Sequence, residues 1–284
     1  MGKLKILVTG KDGQLGYALQ ELSENQFEFI WKFTDRSELD ITNSINTQTV
    51  LKEFQPDWII NAAAYTDVDG AESNEEIAYK VNADGPYILA KSAKEIGAKL
   101  VHISTDYVFD GDKGQYSEED ATNPINEYGR TKLEGEQYLA KNSNDSLIIR
   151  TNVLYDYASN SNASFLNWIV HSLNDEKVIN VVDDQINNPT WTMSLAIVID
   201  RAIQTELNGF IHWGDADWIS RYEFALKIAQ SFNLKKDLIE PIKTAELKQT
   251  AIRPLKGGLS TIYAEKILNL EPPKIEHCLH QLKK

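Results

Sequence analysis

The first half of the chain consists of short apolar runs that alternate with amphipathic stretches. The run at 5–9 is followed by a glycine-rich segment and then by apolar residues at helical spacing. The alternation continues to about residue 150, with further strands predicted at 27–33, 58–61, 99–104 and 147–150. Strands and helices in this order form right-handed βαβ units, so we predict an α/β fold with a doubly wound parallel sheet.

The second half has a less regular pattern. Helices are predicted at 165–173 and 194–203, and strands at 178–182 and 210–213. Another helix is predicted from Ser220, and a Ser- and Asn-rich loop at 156–163. We therefore predict one domain over 1–154 and a smaller α+β lobe over 155–284. Segments around 190–213 are candidates to return to the first domain.

Composition narrows the class of protein. The 284 residues are 42% hydrophobic and 25% charged, as in ordinary globular domains. A net charge of −13 disfavours nucleic acid or an anionic membrane surface as a partner. The single cysteine, Cys278, excludes an intramolecular disulfide, and no apolar run is long enough to span a membrane. We expect a soluble, cytoplasmic protein.

Three glycines separate the first strand from the first helix. Gly10, Gly13 and Gly16 have the spacing G-x-x-G-x-x-G, with Gln14 and Leu15 between the last two. Glycines let a backbone approach a pyrophosphate, and a helix N-terminus presents free N–H groups to it. We predict a dinucleotide-binding turn here; a tight turn without a ligand is the alternative.

The second strand is followed by residues that bear on the choice of cofactor. Asp35 is suited to the ribose hydroxyls of NAD, whereas Arg36 is suited to the 2′-phosphate of NADP. Both types are present, so the sequence predicts NADPH or NADH without choosing between them. Asp40 and Ile41 either flank the adenine or belong to a plain surface loop.

Candidate catalytic groups follow the strand at 99–104. Thr105 comes at its carboxyl end, and Tyr128 and Lys132 are four residues apart on one face of a predicted helix. An ammonium next to a phenol favours the charged phenolate and lowers its pKa. We predict that Tyr128 protonates a carbonyl oxygen, Thr105 hydrogen-bonds that oxygen, and Lys132 holds the nicotinamide ribose. A solvated helix face is the alternative.

A second Tyr-x-x-x-Lys pair occurs at Tyr87 and Lys91. It precedes the strand at 99–104 instead of following it. We therefore assign this copy to an ordinary helix, and His102, inside the strand, to the core.

These motifs resemble the extended short-chain dehydrogenase/reductase family, and in particular its members that reduce nucleotide-linked 4-keto-6-deoxysugars. The resemblance extends over nearly the whole chain. It rests on residues 10–16, 61–69 with 71–72, 104–111, 128–132, 184–185 with 189–190, and 253–254.

The resemblance implies a Rossmann-type fold and reduction of a 4-keto group by NADPH or NADH. The leading substrate is dTDP-4-dehydro-L-rhamnose, which would give dTDP-L-rhamnose for cell-surface polysaccharide synthesis. It gives the catalytic roles to Thr105, Tyr128 and Lys132. Further cofactor contacts are implied for Ala62, Ala63, Ala64, Tyr65, Tyr128 and Lys132. Substrate contacts are implied for Asp106, Tyr107, Val153, Gln185 and Arg253, the last with the diphosphate.

Two departures from the family pattern limit these implications. Val153 occupies a position where some members have a tryptophan against the substrate, so the sugar or the base of this chain's substrate can differ from theirs. Ala18 and the run 191–194 lack the acidic residues with which some members bind magnesium at a dimer interface. We expect no metal, and a monomer or a weak homodimer.

Other functions share part of this pattern. One is reduction of a different nucleotide keto sugar, and another is epimerisation with a tightly held NAD. A third is a non-catalytic NADP-binding regulatory subunit, as in the β subunit of methionine adenosyltransferase.

Overall fold

The computed structural model describes residues 2–142, 145–157 and 164–283, in which strands and helices alternate. The strands are β1 (Leu4–Thr9), β2 (Phe29–Thr34), β3 (Trp58–Asn61), β4 (Lys99–Thr105), β5 (Ser146–Thr151), β6 (Leu154–Tyr155), β7 (Ile179–Val182), β8 (Ile186–Asn187), β9 (Thr190–Trp191), β10 (Gly209–His212), β11 (Ile219–Ser220) and β12 (Ile239–Ile242). The α-helices are α1 (Gln14–Ser23), α2 (Ser44–Phe54), α3 (Val68–Ser73), α4 (Glu75–Tyr79), α5 (Gly85–Ile96), α6 (Glu127–Asn142), α7 (Phe165–Asn174), α8 (Thr192–Gln204), α9 (Arg221–Ser231), α10 (Ile262–Leu268) and α11 (Ile275–Leu282). Of the loop expected at 156–163, positions 158–163 lie outside the described residues.

Six strands form one parallel sheet in the order β10-β5-β4-β3-β1-β2. From β1 the chain crosses first to β2 on one side and later to β3 on the other. The strand order therefore reverses between β1 and β3, and ligands of such sheets bind at the carboxyl ends next to this reversal. The prediction of an α/β, doubly wound parallel sheet is confirmed.

Helices cover both faces of the sheet because successive side chains of a strand point to opposite faces. Val8 packs in a fully buried cluster with Leu19 of α1 and Ile199 of α8. Its neighbour Leu7 packs on the other face, in a cluster with Leu89 of α5. The two apolar layers hold the sheet between helices and leave its carboxyl edge for polar groups.

The C-terminal part of the chain has its own apolar cluster. It joins Ile169 of α7, Val181 of β7, Ile228 of α9 and Leu279 of α11. By contrast, α8 packs with the main sheet and β10 pairs with β5. The domain boundary at 154/155 stays a prediction. No helix in the described ranges has both the length and the apolar character needed to cross a membrane.

The helical stretch before β4 is interrupted by a π-helical turn. Lys80–Asp84 forms this wide turn between α4 and α5. Within it, the Asn82 amide accepts a hydrogen bond from the backbone N–H of Tyr65 at 2.9 Å. The same amide donates to the Tyr65 carbonyl at 3.0 Å and to the Thr131 hydroxyl of α6 at 3.2 Å. The turn thus links the chain that follows β3 to α6.

A buried ion pair joins α6 to the sheet. Arg150 of β5 lies 2.7 Å from the carboxylate of Glu136, and both side chains are buried. The Ser104 hydroxyl of β4 donates to the same carboxylate. On its other side, the guanidinium of Arg150 lies 3.3 Å from the His212 ring of β10. One carboxylate therefore fixes the helix against two strands.

We predict that Glu136→Ala lowers the free energy of unfolding by about 3–5 kcal/mol, because it leaves the Arg150 guanidinium buried without its carboxylate. Urea denaturation followed by circular dichroism measures this loss. Glu176→Ala is the matched control, since Glu176 pairs with Lys235 on the surface, and we expect it to change stability little. Equal losses in the two variants would contradict the prediction.

Candidate active site

A cleft of about 830 Å³ opens at the carboxyl edge of the sheet, within the size range of small-molecule sites. It brings together most of the residues that the sequence singled out. Those that line it are Gly10, Gly13, Gln14, Leu15, Gly16, Arg36, Asp40, Ile41, Ala62, Ala63, Ala64, Tyr65, Thr105, Asp106, Tyr107, Tyr128, Lys132 and Val153.

The glycine turn forms one end of this cleft. Gly10 has a φ of +74°, and a Cβ there would lie 2.9 Å from the backbone nitrogen of Ala63. A Cβ on Gly16 would lie 2.4 Å from the Gly10 carbonyl oxygen. α1 begins after Gly13 without a side-chain cap, so its first turn offers N–H groups at the cleft. This arrangement is suited to a phosphate group.

The two residues that follow β2 have different surroundings. Asp35 forms an ion pair with Lys11 at 2.9 Å and does not line the cleft. Hydrogen bonds from Ser37 and Lys11 hold the pKa of Asp35 well below its usual value. Arg36 lines the cleft, with a side chain 78% exposed and only a 3.7 Å contact to Asp40. Of the two, Arg36 is the group available to a ligand.

Thr105, Tyr128 and Lys132 converge in the middle of the cleft. The Thr105 side chain, at the end of β4, accepts from the backbone N–H of Tyr107 at 3.2 Å and lines the cleft together with the phenol of Tyr128 on α6. Lys132 is buried, and its ammonium donates to the carbonyl oxygen of Ile103 at 2.7 Å. The ring of Tyr128 packs edge-on against Tyr107, with 5.5 Å between centroids. The helix and strand thus present a hydroxyl, a phenol and an ammonium together.

The pKa of Tyr128 is shifted in the direction opposite to the one expected from sequence. Burial raises it above its usual value, and the neighbouring hydroxyl of Thr105 only partly opposes this. The expected lowering by Lys132 is not found; its ammonium instead donates to the Ile103 carbonyl. Burial also lowers the pKa of Lys132 to about 8, against the opposing charge of Glu136. Tyr128 is therefore a protonated phenol at neutral pH.

His102 lies behind Lys132 in the core. Its Nε2 is 3.5 Å from the Lys132 ammonium, and its Nδ1 is 3.0 Å from the Asn61 amide. Asn61 accepts in turn from the Thr9 hydroxyl at 2.8 Å. Burial and the charge of Lys132 keep the pKa of His102 well below its usual value. A neutral histidine therefore supports the lysine from inside the sheet.

Residues at the other end of the cleft follow β4 and β5 or belong to the C-terminal part of the chain. Burial raises the pKa of Asp106 to about 7, although the charge of Arg221 opposes the shift. Val153 has a φ of +21°, which is uncommon for a β-branched residue. Arg221, the first residue of α9, also lines the cleft. The sequence does not single it out, because the capping box at Ser220 locates the helix but not what the helix faces.

Gln185 and Arg253 do not line the cleft. The Gln185 amide donates to the Thr244 hydroxyl at 3.1 Å. Arg253 pairs with Asp69 at 2.8 Å and donates to the Ala251 carbonyl. The substrate contacts assigned to these two residues, like the other residue roles, stay predictions.

Comparison with known proteins places the chain among close relatives. The profile of the family described as "RmlD substrate binding domain" matches residues 4–284. The chain is 34% identical to dTDP-4-dehydrorhamnose reductase of Aggregatibacter actinomycetemcomitans, over 98% of either chain. It is also 34% identical to dTDP-4-keto-6-deoxy-D-glucose reductase of Streptomyces niveus, over 87% of this chain and 85% of that one.

A solved structure extends this similarity to the fold. The crystal structure of dTDP-4-dehydrorhamnose reductase from Bacillus anthracis in complex with NADP has a TM-score of 0.93 to this chain. The two are 36% identical, over 100% of this chain and 99% of that one. Sequence and fold therefore agree along the whole chain.

The buried carboxyl groups predict a pH-dependent stability. Burial raises the pKa of both Asp106 and Asp215 to about 7, and Asp215 lies outside the cleft. A raised carboxyl pKa means that the folded state binds the proton more tightly, so its stabilisation is complete at low pH. It is lost as the pH rises from about 4 toward 7.

We therefore expect the stability of the wild type relative to Asp215→Asn to fall by on the order of 1–3 kcal/mol between pH 4 and pH 7. Asp106→Asn is expected to show the same trend. Urea unfolding at both pH values measures it. A difference that stays constant with pH would contradict the assignment.

Proposed function

Because the chain belongs to the RmlD substrate binding domain family, within the extended short-chain dehydrogenases/reductases, we propose that it reduces the 4-keto group of a nucleotide-linked 6-deoxysugar with NADPH or NADH. The leading substrate is dTDP-4-dehydro-L-rhamnose, with dTDP-L-rhamnose as product. The observation that carries the proposal is the convergence of Thr105, Tyr128 and Lys132 in a cleft that begins at a glycine turn. The full-length similarity to the Aggregatibacter and Bacillus reductases supports it.

The cleft is suited to a nicotinamide dinucleotide. The close approaches at Gly10 and Gly16 leave a backbone cradle where a Cβ would interfere, next to the uncapped start of α1. The glycine turn would hold the pyrophosphate, Arg36 the adenosine end, and Lys132 the nicotinamide ribose. When bound, the reduced cofactor supplies the hydride that the keto carbon accepts.

The chain's own residues complete the reduction at the oxygen. Thr105 and Tyr128 donate hydrogen bonds to the keto oxygen and so orient the carbonyl group. As the carbon accepts hydride, the phenolic proton of Tyr128 moves to that oxygen and the product is an alcohol. The alkoxide is a stronger base than the phenolate, so the transfer is favourable even from a phenol of raised pKa.

One observation favours a second sugar. The Streptomyces niveus relative, named for a different keto sugar, is as similar in identity as the Aggregatibacter reductase. Turnover across a panel of nucleotide 4-keto sugars with both reduced cofactors decides between them. Stoichiometric oxidation of the cofactor distinguishes reduction from epimerisation. The cytoplasmic location and the monomeric or weakly dimeric state stay predictions.

Tyr128→Phe is expected to lower kcat by about 10²–10⁴-fold, because it removes the proton donor without removing the ring. Binding of NADPH, followed by its fluorescence, should remain unchanged. Tyr87→Phe is the matched control. Tyr87 belongs to the other Tyr-x-x-x-Lys pair, is exposed on α5 and packs against Tyr138 of α6. Near wild-type turnover by Tyr128→Phe with an intact fold would refute the mechanism.

Arg36→Ala is expected to raise KM for NADPH about tenfold and to leave KM for NADH within about twofold, because only NADPH carries the 2′-phosphate. Steady-state kinetics with both cofactors measure the ratio, and NADH is the internal control. An equal effect on the two cofactors would show that Arg36 does not contact the 2′-phosphate.

A further inference from the structure

The cleft contains a cation that the proposed mechanism does not use. Arg221 lines it beside Phe165, on the side of the cleft formed by the C-terminal part of the chain. Arg36 lies at the far side, after the edge strand β2. Thr105 and Tyr128 lie between these two arginines, at the central strand β4 and on the helix α6. The cleft thus has positive charge in two separate places.

Arg221 differs from the other arginines in its surroundings. In the described part of the chain, Arg36, Arg130, Arg150 and Arg253 each form an ion pair with a carboxylate. Arg201 forms no such pair there, but it lies outside the cleft and donates to the Leu268 carbonyl at 3.3 Å. Among the described residues, no carboxylate lies within ion-pair distance of the Arg221 guanidinium. Burial lowers the pKa of its guanidinium and the charge of Arg253 adds to this shift, whereas Tyr107 and Asp106 oppose it only through their charges at a distance. A guanidinium in this situation gains more from an anion than an exposed one does, because less water screens it.

The position of Arg221 is fixed before any ligand binds. Its backbone N–H donates to the Gln185 carbonyl at 3.0 Å, and Ser220 and Glu223 form a complete capping box at the start of α9. The guanidinium carbon lies 5.2 Å from the ring centroid of Phe165. Stacking on an aromatic face restricts the plane of the guanidinium and leaves its N–H edge free to donate. This side chain is therefore preorganised for a planar, two-pronged contact.

We propose that Arg221 binds the diphosphate of the nucleotide-sugar substrate. A guanidinium matches two phosphate oxygens, and the reacting centre lies between this site and the glycine turn, where the cofactor's phosphates would bind. Arg253, the arginine expected from sequence, is already paired with Asp69 and lies outside the cleft lining. The inference rests on the proposed function for the identity of the sugar, but not for the binding of a nucleoside diphosphate.

Calorimetric titration of the full-length protein with dTDP, thymidine and NADPH tests the proposal. Arg221→Gln is expected to weaken binding of dTDP by about 10- to 100-fold, because a charge-assisted contact is lost. Binding of thymidine and NADPH should be unchanged. Lys227→Gln removes the same charge from the same helix, where Lys227 pairs with Glu276, and should leave the Kd for dTDP unchanged. Arg253→Gln is measured in parallel.

The possible outcomes are distinct. An unchanged Kd for dTDP in Arg221→Gln, or a loss found only in Arg253→Gln, overturns the proposal. A loss of NADPH affinity instead assigns Arg221 to the cofactor and also overturns it, as does a wild type that does not bind dTDP. If Arg221→Gln does not fold, Arg221→Lys is measured instead, because it keeps the charge but not the bidentate guanidinium. Weaker binding of dTDP in Arg221→Lys than in Lys227→Gln is then the supporting result. Failure of the proposed function is separate: the wild type then binds dTDP but reduces no nucleotide 4-keto sugar.

Discussion

The geometry of the cleft depends on the carboxylate of Glu136. It lies one turn beyond Lys132 on α6, accepts from Arg150 of β5 and from Ser104 of β4, and so sets the distance between helix and sheet. A second constraint acts at the start of the same helix, where a Cβ on Gly129 would lie 2.2 Å from the Tyr107 carbonyl oxygen. The phenol of Tyr128 is therefore held at the cleft, since the helix that carries it is fixed at both places. This buried ion pair therefore contributes more to the position of α6 than to net stability.

Much of this arrangement follows from short stretches of sequence. The glycine turn is predictable because three glycines between a strand and a helix have a local steric cause, and β1 and α1 are found on either side of it. The pair Tyr128 and Lys132 is predictable only with chain order, since Tyr87 and Lys91 have the same spacing. In the structure Tyr87 is partly exposed and outside the cleft, so the preceding strand was the informative signal.

The rest depends on contacts between distant parts of the chain. Arg253 is separated by 184 residues from Asp69, its partner, and no local pattern predicts their pairing. The ion pair of Asp35 with Lys11 likewise joins two loops, and no local pattern predicts it. Arg221 has no motif at all, because its place in the cleft comes from how α7 and α9 pack on each other. The pKa shift of Tyr128 is not predictable from the sequence for the same reason, because the spacing of two residues on a helix does not reveal how deeply either is buried.

The π-helical turn at Lys80–Asp84 has an evolutionary consequence. A π turn contains one residue more than an α turn, so deleting one residue would restore a regular helix and rotate everything on one side of it by about 100°. Asn82 would then leave Tyr65 and Thr131, or the alanines of α5 would leave the core. The segment therefore accepts substitutions far more readily than changes in length. Chains descended from a common ancestor with this one should keep its length even where every exposed side chain has changed.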